Sequence, residues 1–294
     1  MHNVLTIDVE EHFQVHNLEG AVDRASWDRH ESRVDANVRR VLGLLDRYGV
    51  KATFFVLGWV AERRPELVAE IASRGHEIAS HGYGHRLVYT QTRAEFTADL
   101  QESLRLLNQA LGLCASDVDT AIHGYRAPSF SVTRAVPWAT DVIRECGFRY
   151  DSSIMAATGH HRYGMAGVSR FAHAMDNGLV ECPVATLRLC GRNWPVAGGG
   201  YFRLFPLAFT RWALRRINRE GHPAVIYLHP WEFDPEQPRI TGPSAWMRFR
   251  HYVNLHKTAP RLERLLQEFS FVPMREALAG LLAPKEIGRA SCRE

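Results

Sequence analysis

Apolar residues along the 294-residue chain fall in short runs that alternate with longer amphipathic stretches. Val4 to Val9 is a compact β-branched run that reads as a strand, and Val34, Val38, Val41, Leu42 and Leu45 then recur at helical spacing until Gly49 stops the helix. The rhythm repeats with a strand at 51–57, a helix opened by Pro65 and ended by Gly75, and a strand at 76–80. Thr92 and Glu95 form a capping box that starts a helix whose Phe96, Leu100, Leu104, Leu107 and Leu111 share one stripe. Strands are expected at 121–125 and 148–151 with a helix at 133–146 between them, then a helix near 207–219, a strand at 224–228 and a last helix near 261–269. Strands separated by helices require right-handed parallel crossovers. This many repeats without a linker predicts an α/β fold, a single-domain distorted (β/α) barrel of about seven parallel strands. Residues 156–200 lack periodicity and read as long strand-to-helix loops with a short hairpin; residues 285–294 read as a frayed tail behind a barrel spanning 1–284.

Charge changes this picture only by exclusion. Lys and Arg number 36 against 32 Asp and Glu, a net charge of +4 that is too small and too evenly spread for a nucleic-acid groove. No run of about 18 uncharged apolar residues predicts a membrane span, and no basic-then-apolar leader is visible. Cysteines stand at 114, 146, 182, 190 and 292 with no CxxC pair, which argues against structural zinc and suits a reducing compartment, so a cytoplasmic location is expected.

The candidate chemistry gathers where strands end. Asp8 and Glu10 follow the first strand, His81 and His85 the third, Arg126 the fourth, Asp151 the fifth and His229 the strand at 224–228. In a parallel barrel these ends share one face. His81 and His85, four apart, suit a common cation, and of Asp8 and Glu10, two apart on one side of an extended segment, one can ligate while the other serves as base. His12 and His16, also four apart, and His160 with His161 compete as ligands. Asp151 opens Asp-Ser-Ser, which reads equally as a turn or cap.

Thr6-Ile7-Asp8-Val9-Glu10, Ser80-His81-Gly82-Tyr83-Gly84-His85, Gly124-Tyr125-Arg126-Ala127-Pro128-Ser129-Phe130 and Leu228-His229-Pro230 resemble, in order and spacing, the motifs of the NodB-type polysaccharide deacetylases, carbohydrate esterase family 4. The segments at 9–14, 198–203 and 229–235 are similar to those of the branch that accompanies exosortase and exopolysaccharide clusters, with a family-specific C-terminal part from about residue 195. The resemblance implies a divalent metal, usually zinc, held by Glu10, His81 and His85. It also implies Asp8 as base, Arg126 as the residue orienting it, His229 as general acid, and removal of N-acetyl groups from a polysaccharide or oligosaccharide. Three departures stand out. Glu10 replaces an aspartate adjacent to Asp8, Ser129 and Phe130 stand where the family's aromatic lies, so that the backbone oxyanion donor is open by one residue, and no Asp at 195–210 tunes His229, which leaves Glu232, Asp151 or a residue not visible in the sequence pattern as its partner. Of the aromatic residues Trp194, Tyr201, Phe202, Trp231 and Phe233, two are expected to stack on sugar rings, Trp231 and Tyr201 being favoured. Two other readings are a hydrolase of small cyclic amides or ureides on the same site and a non-catalytic carbohydrate-binding barrel.

Overall fold

Strand β1 (His2–Val9) sits between parallel neighbours: β10 (Val225–Leu228) pairs with Val4–Ile7 and β2 (Thr53–Val56) with Thr6–Val9. These elements belong to a computed structural model that describes residues 1–113, 122–158, 164–196 and 198–283. From β2 the sheet continues in parallel through β3 (Glu77–Ser80), β4 (Gly124–Tyr125), β5 (Tyr150–Asp151) and β7 (Val180–Glu181), and ends at an antiparallel strand, β6 (His173–Ala174). The path from β10 to β7 is thus seven parallel strands, curled as a half-barrel, in agreement with the spacing of the apolar runs. Strands β8 (Thr186–Leu189) and β9 (Arg192–Pro195) make the expected hairpin, and β11 (Ser270–Val272) pairs with the start of β1. No ladder joins β7 to β10 among the described residues; there the Ala185 N–H donates to the Val225 carbonyl at 3.0 Å and Gly198 bridges Tyr227.

Side-chain alternation on the strands sorts two cores. Leu5, Ile7, Val9, Phe54 and Val56 pack into the helical layer with Val38, Leu42, Leu100 and Leu107, while Val4, Phe55, Ala79, Tyr150, Val225 and Tyr227 form a separate inner cluster. Burial on both faces is why the strands read as continuous apolar runs. At the N-terminal ends of β2 and β3 the inner core is closed by the segment after β11. The Met274 N–H donates to Thr53 Oγ1 at 2.7 Å and the Arg275 N–H to Glu77 Oε2 at 2.9 Å, and Tyr150 Oη donates to Glu77 Oε1 at 2.8 Å. Among the described residues the cavity opens at the C-terminal strand ends.

The helices follow the predicted caps with one clear exception. The Thr92/Glu95 capping box starts the helix Arg93–Ala110, and the helix Leu207–Arg219 matches its periodicity. The helix expected at 133–146 is only Ala139–Glu145, because Pro137 disfavours helical geometry at the residue before it and cannot donate within a turn. The strand expected at 148–151 is only Tyr150–Asp151, since Phe148 turns into the outer core. The helix taken as the last, observed at Thr258–Glu268, is followed by β11 and two single-turn helices, Met274–Ala277 and Ala279–Leu282, elements too short for periodicity to register. The helix Val34–Arg47 is capped from a distance: the buried Glu11 carboxylate accepts from Ser32 Oγ at 2.5 Å and from the N–H groups of Arg33 and Val34. No helix among the described residues is long and apolar enough to cross a membrane, and Cys146, Cys182 and Cys190 are free thiols. Ala121, Cys114, Cys292, the pair His160–His161 and the tail 285–294 lie outside the described residues.

Candidate active site

Asp8 points inward from β1 because Thr6, Asp8 and Glu10 share the face opposite Leu5, Ile7 and Val9. Its Oδ1 accepts from Arg126 Nη1 at 2.7 Å. Arg126 is itself immobilised: Nη1 also donates to Thr6 Oγ1 at 2.6 Å, Nε to the Ser152 carbonyl at 3.2 Å and Nη2 to Ser152 Oγ at 2.9 Å, with the guanidinium 4.2 Å above the Phe55 ring. The fully buried cation is therefore neutralised by Asp8 and clamped by three residues, which leaves the carboxylate one orientation.

Glu10, His81 and His85 form the second group. All three are buried, and one potential ligand atom from each lies within 4.8 Å of the others. His81 Nδ1 is 2.8 Å from the Arg126 carbonyl, so Nδ1–H donates there and the Nε2 lone pair faces the group, 3.9 Å from Glu10 Oε2. Burial pushes the His81 imidazole down to about 4, which keeps it neutral. His85 Nε2 lies 2.7 Å from Glu10 Oε2, but no donor reaches this buried oxygen with hydrogen-bond geometry. Burial pushes the Glu10 carboxyl up, yet His85 and His229 outweigh it and hold it down at about 2. An ionised carboxylate oxygen without a donor, beside two imidazole nitrogens, is a donor set that fits a divalent cation. The loop carrying the histidines is held by Asp99, which accepts from the N–H groups of Tyr83 at 2.8 Å and Gly84 at 3.2 Å. His12 and His16 do not join this group. His12 is buried with its ring edge on Phe13, and His16 lines the cavity 2.7 Å from Glu19.

His229 stands at the end of β10 with Nε2 3.7 Å from Glu10 Oε1 and 4.0 Å from Asp8 Oδ2. Its Nδ1 is 2.7 Å from Glu232 Oε1, which also accepts the His229 backbone N–H at 3.0 Å. Burial alone would lower the imidazole, but Glu10, Glu232 and Asp8 together raise it to about 9. Of the two partners left open by the sequence, Glu232 is thus the one in contact; Asp151 is hydrogen-bonded to Ser153 instead. Glu232 Oε2 accepts from Arg203 Nε at 2.6 Å, and Arg203 Nη1 donates to the carbonyls of His251 and Val253. Sequence reasoning missed Arg203. Its signal was the position of an arginine in an otherwise apolar Gly-Gly-Gly-Tyr-Phe-Arg segment. Gly198 in that segment has φ +145°, and a Cβ there would sit 2.2 Å from the Tyr227 ring, so only glycine lets this backbone approach β10 beneath His229.

A cavity of about 460 Å³ opens over these groups, lined among others by Asp8, Glu10, His81, His85, Ser129, Phe130, Tyr201 and His229. The expectation that Trp231 stacks on a sugar is corrected. Its ring stacks with His229, at 5.2 Å, and with His251, at 4.4 Å, and its Nε1 donates to Glu10 Oε1 at 3.1 Å. Although Trp231 lines the cavity, it is only 3% exposed, so the indole orients Glu10 and offers a sugar little surface. Phe202 and Phe233 are in the outer core, and the exposed Trp194 is on the β8–β9 hairpin, outside the cavity lining. Tyr201 does line the cavity, where the exposed Trp246, not singled out from the sequence, joins it.

Comparison with known proteins gives two adjoining matches. Residues 25–150 match the family described as Polysaccharide deacetylase, and residues 152–279 match a model described as a domain of unknown function (DUF3473). A peptidoglycan-N-acetylglucosamine deacetylase of Bacillus cereus is 36% identical over 73 residues, 25% of this chain and 26% of that protein. In the curated relatives at the head of the comparison the match spans less than half of each protein's own length. Among solved structures, one assigned as a polysaccharide deacetylase of Mycobacterium smegmatis superposes with a TM-score of 0.59 at 22% identity, covering 97% of this chain and 93% of that one. The Puue allantoinase superposes at 0.57 with 15% identity, covering 94% and 88%. His81, His85 and Arg126 fall in the first matched segment, and Arg203, His229 and Glu232 in the second. Residues 25–150 thus resemble the polysaccharide deacetylase family, and the whole chain has an α/β fold with a curled, mostly parallel half-barrel, as the Mycobacterium smegmatis structure does.

Proposed function

We propose that the chain is a metal-dependent hydrolase that removes N-acetyl groups from N-acetylhexosamine units of a polysaccharide, releasing acetate and leaving a free sugar amine. One observation carries the reading. A carboxylate fixed by a buried arginine and an imidazole fixed by a buried carboxylate, Asp8 and His229, stand within 4.0 Å of each other beside the Glu10, His81 and His85 group.

Glu10, His81 and His85 would hold a single divalent cation, zinc by the character of the donors, which when bound supplies the Lewis acidity that makes water nucleophilic near neutral pH. Asp8, oriented by Arg126, takes the proton from the attacking water. As charge builds on the acetamide oxygen, the Ser129 N–H is the donor that meets it. The Phe130 N–H is already spent on the Ala127 carbonyl at 3.1 Å, whereas Ser129 lines the cavity with φ +53°. His229 gives its Nε2 proton to the departing nitrogen while Nδ1–H remains on Glu232, so the nitrogen leaves as an amine. Phe130 and Tyr201 supply apolar wall to the sugar.

The polymer in this reading is an exopolysaccharide or its lipid-linked precursor, as in the branch whose segments the chain resembles. The free thiols suit the cytoplasm, where a precursor would be met before export. Ureide hydrolysis would use the same base and acid. The open, aromatic-rimmed cavity favours a chain of sugars over a small ring. The test is acetate release by the purified chain, chelator-stripped and then restored with zinc, from N-acetylglucosamine oligomers and, in parallel, ring opening of allantoin. Zinc-dependent acetate release supports the proposal; ring opening without acetate release overturns it.

A further inference from the structure

The helix Ala245–Tyr252 forms one wall of the cavity and carries a cation that no acidic side chain pairs with among the described residues. Trp246, Met247, Arg250 and His251, spaced as one helical face, all line the cavity. The neighbouring arginines are engaged: Arg203 pairs with Glu232, and Arg248 Nη1 donates to the Pro243 carbonyl at 3.3 Å. The Arg250 guanidinium has neither an ion pair nor a side-chain hydrogen bond among the described residues; only its carbonyl is used, accepting from Arg203 Nη2 at 3.2 Å. The carboxylates in the lining, Asp8 and Glu10, are committed to Arg126 and to the histidine group. Beside Arg250, Trp246 is 64% exposed with its ring stacked on Phe249, an aromatic surface at the cavity mouth. The backbone that carries both is fixed, because Arg203 ties the carbonyls of Arg250, His251 and Val253 to Glu232 and so to His229.

A half-buried, unpaired guanidinium next to an exposed indole matches a sugar bearing a carboxylate, whose apolar face meets the ring while its oxygens take the fork of N–H donors. We propose that Arg250 is a specificity-determining residue that selects acidic chains, in which a carboxylate-bearing sugar neighbours the N-acetylhexosamine to be deacetylated. The inference rests on the proposed deacetylase reading and names its substrate class.

The probe is an oligosaccharide alternating N-acetylglucosamine and glucuronic acid, compared with the same oligosaccharide after its carboxylates are reduced to alcohols. Binding is measured on the full zinc-supplemented chain with Asp8→Asn to prevent turnover, with and without Arg250→Gln, and acetate release is followed on the unaltered chain. The acidic oligosaccharide is expected to bind about tenfold more tightly than its reduced form, less so at high salt. Arg250→Gln is expected to remove that preference while leaving affinity for the reduced form unchanged. Equal binding of the two, no binding of either, or a preference that survives Arg250→Gln overturns the proposal. A preference without acetate release would retain the subsite and reject the reaction; acetate release without a preference would do the reverse.

Discussion

Asp8 and Glu10 are two carboxylates two positions apart with opposite surroundings: Asp8 is clamped by a buried arginine, and Glu10 turns an oxygen without a donor toward two imidazoles. Asp8→Asn should therefore lower turnover by about 10²- to 10⁴-fold, the range of a lost general base, while metal content measured by atomic absorption stays at that of the unaltered chain. Glu232→Gln acts differently. The Glu232 carboxylate, hydrogen-bonded to Nδ1 of His229, favours the charged imidazole against burial, so removing its charge lowers the pKa of His229. The alkaline limb of the pH–rate profile should move to lower pH, and an unmoved limb would exclude Glu232 as the partner of His229. These residues were legible in the sequence because each follows a strand, where a parallel barrel exposes side chains. Trp231 was misread for a physical reason: its neighbours Glu232 and Asp234 look like loop polarity, but they are buried and paired through Arg203 and Arg33, partners that lie 29 and 201 positions away.

The loop from Ser80 to His85 shows how a short element fixes chemistry without regular structure. Asp99, on the following helix, takes two of its N–H groups, and a Cβ at Gly82, where φ is +73°, would meet Asp99 Oδ2 at 2.7 Å. Asp99→Ala frees the loop and should weaken metal binding by about 10- to 100-fold, as loss of outer-sphere support does, with little change in the circular dichroism of the fold. Glu11→Ala strips the start of the helix Val34–Arg47 of its acceptor and should cost about 1–2 kcal/mol in urea unfolding. Amphipathic helices were readable from local pattern, as Leu207–Arg219 shows. Two-residue strands such as β4 and β5 were not bounded by it, because their pairing is decided by neighbours across the sheet and not by their own residues.

A barrel whose N-terminal end is plugged by Met274 and Leu278 leaves one open end, and residues from β1 to β10 meet there across more than 200 positions of sequence. A cation bound to Glu10, His81 and His85 would tie β1 to the loop after β3, so binding adds to the stability of the whole chain. Chelation should lower the melting temperature of the unaltered chain and leave that of His81→Ala unchanged. The most direct test of the account is to measure zinc per chain and acetate released from N-acetylglucosamine oligomers on one set of samples: the unaltered chain, His81→Ala and Asp8→Asn. One zinc with release, neither zinc nor release, and one zinc without release are the results expected in that order. Undiminished release by either variant would contradict the assignment of metal and base to this site.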